Sequence, residues 1–112
     1  MSGAILVVSA ARSVITLTVE PPNAYGGIFG GGPVLTNSVT VTPSGGIGAY
    51  MYAWTKTSGG AISVTSAAAA TTTFSGTLAL GESIEAGYKC TVTDSTGSTA
   101  EISVVVFLFE VS

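Results

Sequence analysis

Histidine is absent from this chain, and Cys90 is its only cysteine. Without histidine the chain lacks the Ser-His and Cys-His pairs that activate nucleophiles, and also a common transition-metal ligand. One cysteine cannot form an internal disulfide, and a free thiol is typical of a protein made in a reducing cytoplasm. No cation or helix end near Cys90 would activate its thiol, so we interpret it as a small core residue. We therefore expect that the protein is not an enzyme and that it binds no cofactor or metal.

Charge is also scarce, because three cations stand against six carboxylates and the formal net charge is −3. Three scattered cations cannot neutralise a phosphate backbone or form a polybasic membrane patch, so neither nucleic acid nor membrane is an expected partner. The apolar run at residues 4–8 has no basic residue before it and is too short to span a bilayer. We interpret that run as a strand, and predict neither a signal peptide nor a transmembrane segment.

Three carboxylates invite a functional interpretation. A paired-carboxylate mechanism needs two acids that converge in one cleft. Glu82 and Glu85 are close in sequence, but they lie in a predicted loop, where no strand or helix periodicity would bring them together. We therefore expect both to be solvated. Asp94 together with either of them could contribute to a calcium site, but calcium needs several oxygen ligands and the sequence does not cluster them.

The chain is rich in the period-two alternation of strands, interrupted by turns that contain glycine. Short strands at this spacing predict one all-β domain, an antiparallel sandwich or barrel. Residues 67–70 are four alanines that could form a helical turn, but the threonines that follow favour a strand from Thr71. The alternating runs are residues 13–19, 38–42, 49–56, 86–93 and 100–106.

Residues 20–36 contain five glycines and three prolines, which predicts a long loop or arm. We therefore divide the chain into residues 1–33, an N-terminal strand region with a Gly/Pro-rich arm, and residues 34–112, the sandwich. A free loop has little reason to carry large apolar side chains unless they dock. Three such residues in the arm are therefore candidate interface residues: Tyr25, Ile28 and Phe29.

The C-terminal run VVVFLF at residues 104–109 is apolar on both faces. Even-numbered residues continue the inward face of Ile102, whereas Val105, Phe107 and Phe109 lie on the opposite face. A strand that is apolar on both faces must be covered on both. Either residues 4–19 cover the second face or another chain does, so these three residues are also candidate interface residues.

From Tyr50 onward, YMYAWTKTSGG and the later YKCTVTDSTGSTA resemble immunoglobulin-like (Ig-like) domains, in their bacterial and polycystic-kidney-disease-type forms, over residues 34–106. Trp54 stands where such domains place the core tryptophan of strand C, and Tyr88-Lys89-Cys90 resembles the Tyr-x-Cys of strand F. The resemblance implies an antiparallel Ig-like β-sandwich in which the Tyr88 hydroxyl closes a tyrosine corner. The position of the partner cysteine falls at Val39 or Val41, so packing replaces the disulfide, and the implied core signature is Trp54, Tyr88, Cys90, Val39 and Val41.

The same segments, with SVTVTPSGG before them, are similar to Ig-like modules in structural proteins of tailed bacteriophages. The similarity implies a small virion structural protein, made in the host cytoplasm, which decorates or cements the capsid. Implied partners are the major capsid protein or tail proteins, together with further copies of the chain. A tail or collar accessory protein is one alternative. A host-surface or glycan-binding module is the other, with Tyr50, Tyr52 and Trp54 as a candidate sugar-stacking stripe, although alternation on one strand favours the core for Trp54.

Overall fold

The structure, a computed structural model, describes residues 14–111, and within that range all regular secondary structure is β-strand. The expected strand at residues 4–8 and the start of the run at residue 13 lie outside the described residues. No helix that could span a membrane occurs in residues 14–111. The strands are β1 (Thr16–Glu20), β2 (Asn23–Phe29), β3 (Gly32–Leu35), β4 (Val39–Ser44), β5 (Met51–Gly59), β6 (Ser63–Val64), β7 (Thr71–Thr72), β8 (Phe74–Leu78), β9 (Ser83–Thr93) and β10 (Thr99–Val111).

Three sheets organise these strands, and the expectation of an all-β chain is confirmed. The largest sheet has the order β2-β10-β9-β5, and two three-stranded sheets have the orders β1-β4-β7 and β3-β8-β6. Every pairing is antiparallel except that of β10 with β2, which is parallel. The long β9–β10 hairpin is the centre of the four-stranded sheet, with β2 and β5 as its edges.

Alternation of apolar and polar residues explains how the sheets bury a common core, because successive side chains of a strand point to opposite faces. Inward side chains of all three sheets form one cluster, so the arrangement is sandwich-like. The fully or nearly fully buried members are Ala24, Val34, Val39, Val41, Trp54, Ile62, Phe74, Leu78, Ala86, Tyr88, Cys90, Val92, Val104, Val106 and Leu108.

The prediction of a loop or arm at residues 20–36 is wrong, because β2 and β3 occupy most of that segment. β2 pairs with β10, and its Ala24 is completely buried. At Gly26 a side chain would come within 3.0 Å of the Leu35 carbonyl oxygen and 3.1 Å of Leu108, so glycine permits a close approach to neighbouring backbone. Gly26, one of the glycines that suggested a loop, therefore serves tight packing in a strand, whereas Gly30 and Gly31 form the β2–β3 turn.

The strand expected from Thr71 is confirmed as β7 and β8, and residues 67–70 form a turn without helix. Carbonyl groups of this turn accept hydrogen bonds from neighbouring strands. The Trp54 amide donates to Ala67 at 2.8 Å, and the Val41 amide donates to Ala70 at 2.9 Å. The alanine turn thus satisfies backbone groups at strand edges.

Candidate docking face of the four-stranded sheet

The five core-signature residues are all buried in the common cluster. Trp54 on β5 lies directly across from Cys90 on β9, and both side chains point inward. The Trp54 indole Nε1 donates to the Ala69 carbonyl at 2.8 Å, so its one polar atom is satisfied. The other three members are Tyr88, Val39 and Val41.

Phe74 is the central core residue that sequence reasoning missed. Its side chain is completely buried. Its ring centroid lies 5.6 Å from that of Trp54 in an edge-to-face arrangement and 4.9 Å from that of Tyr88. The available signal was a large aromatic residue that directly follows three threonines, but the alternation of β8 is too short to show its inward side.

The Tyr88 hydroxyl does not close the tyrosine corner that the resemblance implied. A corner bonds to backbone a few residues upstream, whereas Tyr88 donates at 2.6 Å to the carbonyl of Ile62, 26 residues earlier. This bond ties β9 to the segment between β5 and β6. Burial raises the pKa of the Tyr88 hydroxyl above its ordinary value, which further favours the protonated form that donates this bond.

Cys90 lies in surroundings that keep its thiol neutral. Its side chain is completely buried, and burial raises the pKa of the thiol to about 11. Lys89 points to the opposite face of β9, where its Nζ lies 3.1 Å from Glu101. The neighbouring cation therefore does not activate the thiol, which fits the interpretation of Cys90 as a core residue.

Asp94 is a clamp at the β9–β10 turn. Its Oδ1 accepts hydrogen bonds from the Thr96 amide at 2.9 Å, the Thr96 hydroxyl at 2.7 Å and the Ser98 amide at 3.0 Å. Its Oδ2 accepts the Ile47 amide at 3.0 Å, which fastens the β4–β5 loop to this turn. These bonds, led by that of the Thr96 hydroxyl, lower the pKa of Asp94 to about 2. Within residues 14–111 no group of three or more cysteine, aspartate or glutamate side chains is placed to hold a metal ion.

Glu110 makes a similar clamp at the opposite end of β10, and sequence reasoning did not identify it. Its two carboxylate oxygens accept the amides of Gly81 at 2.8 Å and Gly30 at 3.0 Å, which joins the β8–β9 and β2–β3 turns. Glu82 Oε1 accepts the Ala79 amide at 2.7 Å within the β8–β9 turn. Glu85, expected in a loop, instead lies on β9, so its assignment to a loop is wrong.

An apolar strip runs along the outward face of β2 and β10. The register pairs Phe107 with Tyr25, Phe109 with Gly27 and Val111 with Phe29. Tyr25 and Phe29 are 51% and 78% exposed, and Phe109 and Val111 are 41% and 39% exposed. The strip, which we call the outward strip, consists of Tyr25, Phe29, Val105, Phe107, Phe109 and Val111.

Two close contacts hold the outward strip in shape. The rings of Tyr25 and Phe107 stack with centroids 5.7 Å apart and planes 7° apart. The Phe109 ring lies against Gly27, where a Cβ atom would come within 2.7 Å of it. Asn37 fixes the edge of β2. Its side-chain oxygen accepts a hydrogen bond from the Tyr25 backbone amide at 2.8 Å, and its backbone amide donates to the Tyr25 carbonyl at 3.2 Å. The strip is therefore an ordered surface.

The structure sorts the candidate interface residues into two groups. Five of them, Tyr25, Phe29, Val105, Phe107 and Phe109, lie together on the outward face, although they come from segments about 80 residues apart in the chain. Ile28 lies on the inward side of β2 and packs against the core. The described part of the N-terminal segment does not cover the strip, because β1 pairs with β4 and its Leu17 and Val19 pack on the core.

A cleft adjoins the outward strip at Val105. Its volume is about 300 Å³. The cleft lies where the register of β5 against β9 shifts, between Lys56 and Ser58 and next to Gly87. Its lining is Ser58, Gly59, Glu85, Ala86, Gly87 and Val105.

Comparison with known proteins found no match to this chain among family models, curated proteins or solved structures. The resemblance to Ig-like phage modules therefore stays a prediction.

Proposed function

We propose that this protein is a small, non-enzymatic virion structural protein of a tailed bacteriophage, most simply a capsid decoration or cement protein. The observation that carries its role as an assembly module is the outward strip, through which it docks on a larger structural protein. The virion assignment rests on the sequence resemblance alone.

The size of the strip supports a docking role. An aromatic side chain can bury about 150–250 Å², so the exposed parts of the strip amount to on the order of 400 Å². Apolar patches of about 300–600 Å² are the largest on typical monomers and are often functional. Covering this area would contribute about 10 kcal/mol, which is similar to the association cost of about 4–15 kcal/mol. The strip therefore needs additional polar contacts at its rim to hold a partner tightly.

The strand order supports an Ig-like arrangement as part of this proposal. In Ig-like domains strands C, F and G form one sheet, with the core tryptophan on C and the Tyr-x-Cys on F. Here β5, β9 and β10 are neighbours in that order, Trp54 lies on β5, and Tyr88 and Cys90 lie on β9. On this mapping β2 is an additional strand beside G.

A position in the tail or collar would use the same strip, and so would association with further copies of the chain. The glycan-binding alternative has less support. The rings of Tyr25 and Phe107 stack on each other, so each has one face occupied. Of the predicted stacking stripe, Trp54 is buried, and Tyr50 and Tyr52 pack against the core. Sugar stacking needs an open ring face, and these rings provide few.

The experiment measures incorporation into particles. Tagged wild-type chain and the double variant Phe107→Ser with Phe109→Ser are produced in cells during phage assembly. Particles are purified on a density gradient, and bound copies are counted by mass spectrometry. We expect wild-type chain in the particles and a loss of at least tenfold for the double variant, which should remain folded because the changes are on the outward face.

Met51→Ser is the matched control, since Met51 is an exposed apolar residue on the far edge strand of the same sheet. It should be incorporated like wild type. If the purified particles contained no wild-type chain, the virion proposal would be refuted. Normal incorporation of the double variant would refute the role of the strip.

A further inference from the structure

We infer that the partner covering the outward strip is a protein surface that places an arginine or lysine side chain in the cleft beside Glu85. This inference rests on the proposed docking function and states the chemistry of the partner. Three observations carry it: the position of the cleft, the residues that line it, and the distribution of charge on this chain.

The cleft is continuous with the outward strip. Val105 belongs to both, and Glu85 lies directly across from Phe107 on the neighbouring strand. A partner that covers the strip therefore passes over the cleft. Its volume of about 300 Å³ is enough to receive a long side chain.

The polar side chains around the cleft are acceptors suited to a cation. The lining residues include Glu85, which carries a carboxylate, and Ser58, which carries a hydroxyl. The hydroxyl oxygens of Thr57 and Ser58 lie over Gly87, where a Cβ atom would come within 2.9 Å of both. Guanidinium and ammonium groups carry several donors and no acceptor, so they match oxygen atoms arranged around one space.

No cation of the described chain neutralises Glu85, since the one salt bridge in residues 14–111 joins Lys89 to Glu101. Lys56 does not pair with Glu85 either, because its Nζ donates a hydrogen bond to the Gly60 carbonyl at 2.8 Å. A second copy would bring the same excess of acids, with a net charge of −3. Charge complementarity therefore favours a basic partner over a second copy.

The test uses the full chain, labelled with ¹⁵N, and two dipeptides as probes. Acetyl-Phe-Arg-amide carries a ring for the strip and a cation for the cleft. Acetyl-Phe-citrulline-amide has nearly the same shape without the charge. We expect saturable shifts of the Glu85, Gly87 and Val105 amides with the arginine peptide. Binding of the citrulline peptide should be about two- to fivefold weaker, the range for an exposed ion pair.

Glu85→Gln should abolish the preference for arginine, and salt should reduce it in wild type because the pair is exposed. Glu85 is exposed, so the variant should keep the wild-type thermal midpoint. Equal binding of both peptides to wild type, or an arginine preference that survives in Glu85→Gln, would overturn the inference. So would concentration-dependent shifts of the same amides without peptide, which indicate a second copy. None of these outcomes bears on particle incorporation, which tests the proposed function separately.

Discussion

The two faces of β10 differ in what covers them. Inward residues Val104, Val106 and Leu108 are buried against side chains from the other sheets. On the outward face Phe109 and Val111 stay substantially exposed, and Phe107 is covered only in part, by Tyr25. Both faces are equally apolar in sequence, so hydrophobicity alone does not distinguish a core face from a docking face. The difference arises from the other two sheets, whose side chains pack against the inward face and leave the outward face of β2 and β10 partly exposed.

Adjacent truncations on β10 test this comparison most strongly. Leu108→Ala should cost about 2–5 kcal/mol of unfolding free energy because it leaves a cavity in a closed core. Phe109→Ala should cost about 1 kcal/mol or less, since its ring is already 41% exposed. Urea unfolding followed by tryptophan fluorescence measures both. Equal costs would mean that the outward face stabilises the fold as the inward face does.

Two neighbouring glycines on β2 test the same comparison of inward and outward faces, with smaller expected losses of stability. In Gly26→Ala the new methyl group would meet the Leu35 carbonyl oxygen at 3.0 Å, and backbone cannot move aside easily. We expect about 1–3 kcal/mol of destabilisation. In Gly27→Ala the methyl group would meet the Phe109 ring, which can rotate away from the sheet.

Gly27→Ala should therefore cost less than Gly26→Ala in thermal unfolding and should instead alter the outward strip. The expected sign is a changed chemical shift of the Phe109 ring with little change in the melting temperature. A Gly27→Ala variant that melts as early as Gly26→Ala would show that the fit of Phe109 on Gly27 is needed for folding.

Sequence patterns predicted the inward face well, because alternation is local and places Trp54 and Cys90 on the same side of their strands. They failed for β2, since glycine and proline are depleted in strands and the pairing with β10 is formed by residues far apart in the chain. Sequence also predicted that Phe107 and Phe109 need a cover, and this stays a prediction. It could not show that Tyr25 stacks on Phe107, because that contact depends on the register of a parallel pair.

Asp94, at the β9–β10 turn, makes a contribution to folding stability that depends on pH. Its folded pKa of about 2 lies below the usual 3.8, so the unfolded chain binds a proton at higher pH. The contribution to stability is complete above about pH 4 and is lost as the pH falls toward 2. Asp94→Asn should therefore show a flatter decline of stability over that interval in urea unfolding. Parallel declines for the two proteins would contradict a role for the ionised carboxylate.

The smallest expected effect concerns Cys90, the one inward residue with reactive chemistry. A fully buried thiol with a pKa of about 11 is protonated at neutral pH, and the thiolate is the form that reacts. Labelling of the native protein by a maleimide should therefore be slow and limited by opening of the fold, and urea should accelerate it. Cys90→Val should fold with a change in stability below about 1.5 kcal/mol, since the substitution nearly conserves volume. Rapid labelling without denaturant would mean that the inward face opens easily. The two faces of the sheet would then differ less in their protection from solvent than the packing of β9 and β10 indicates.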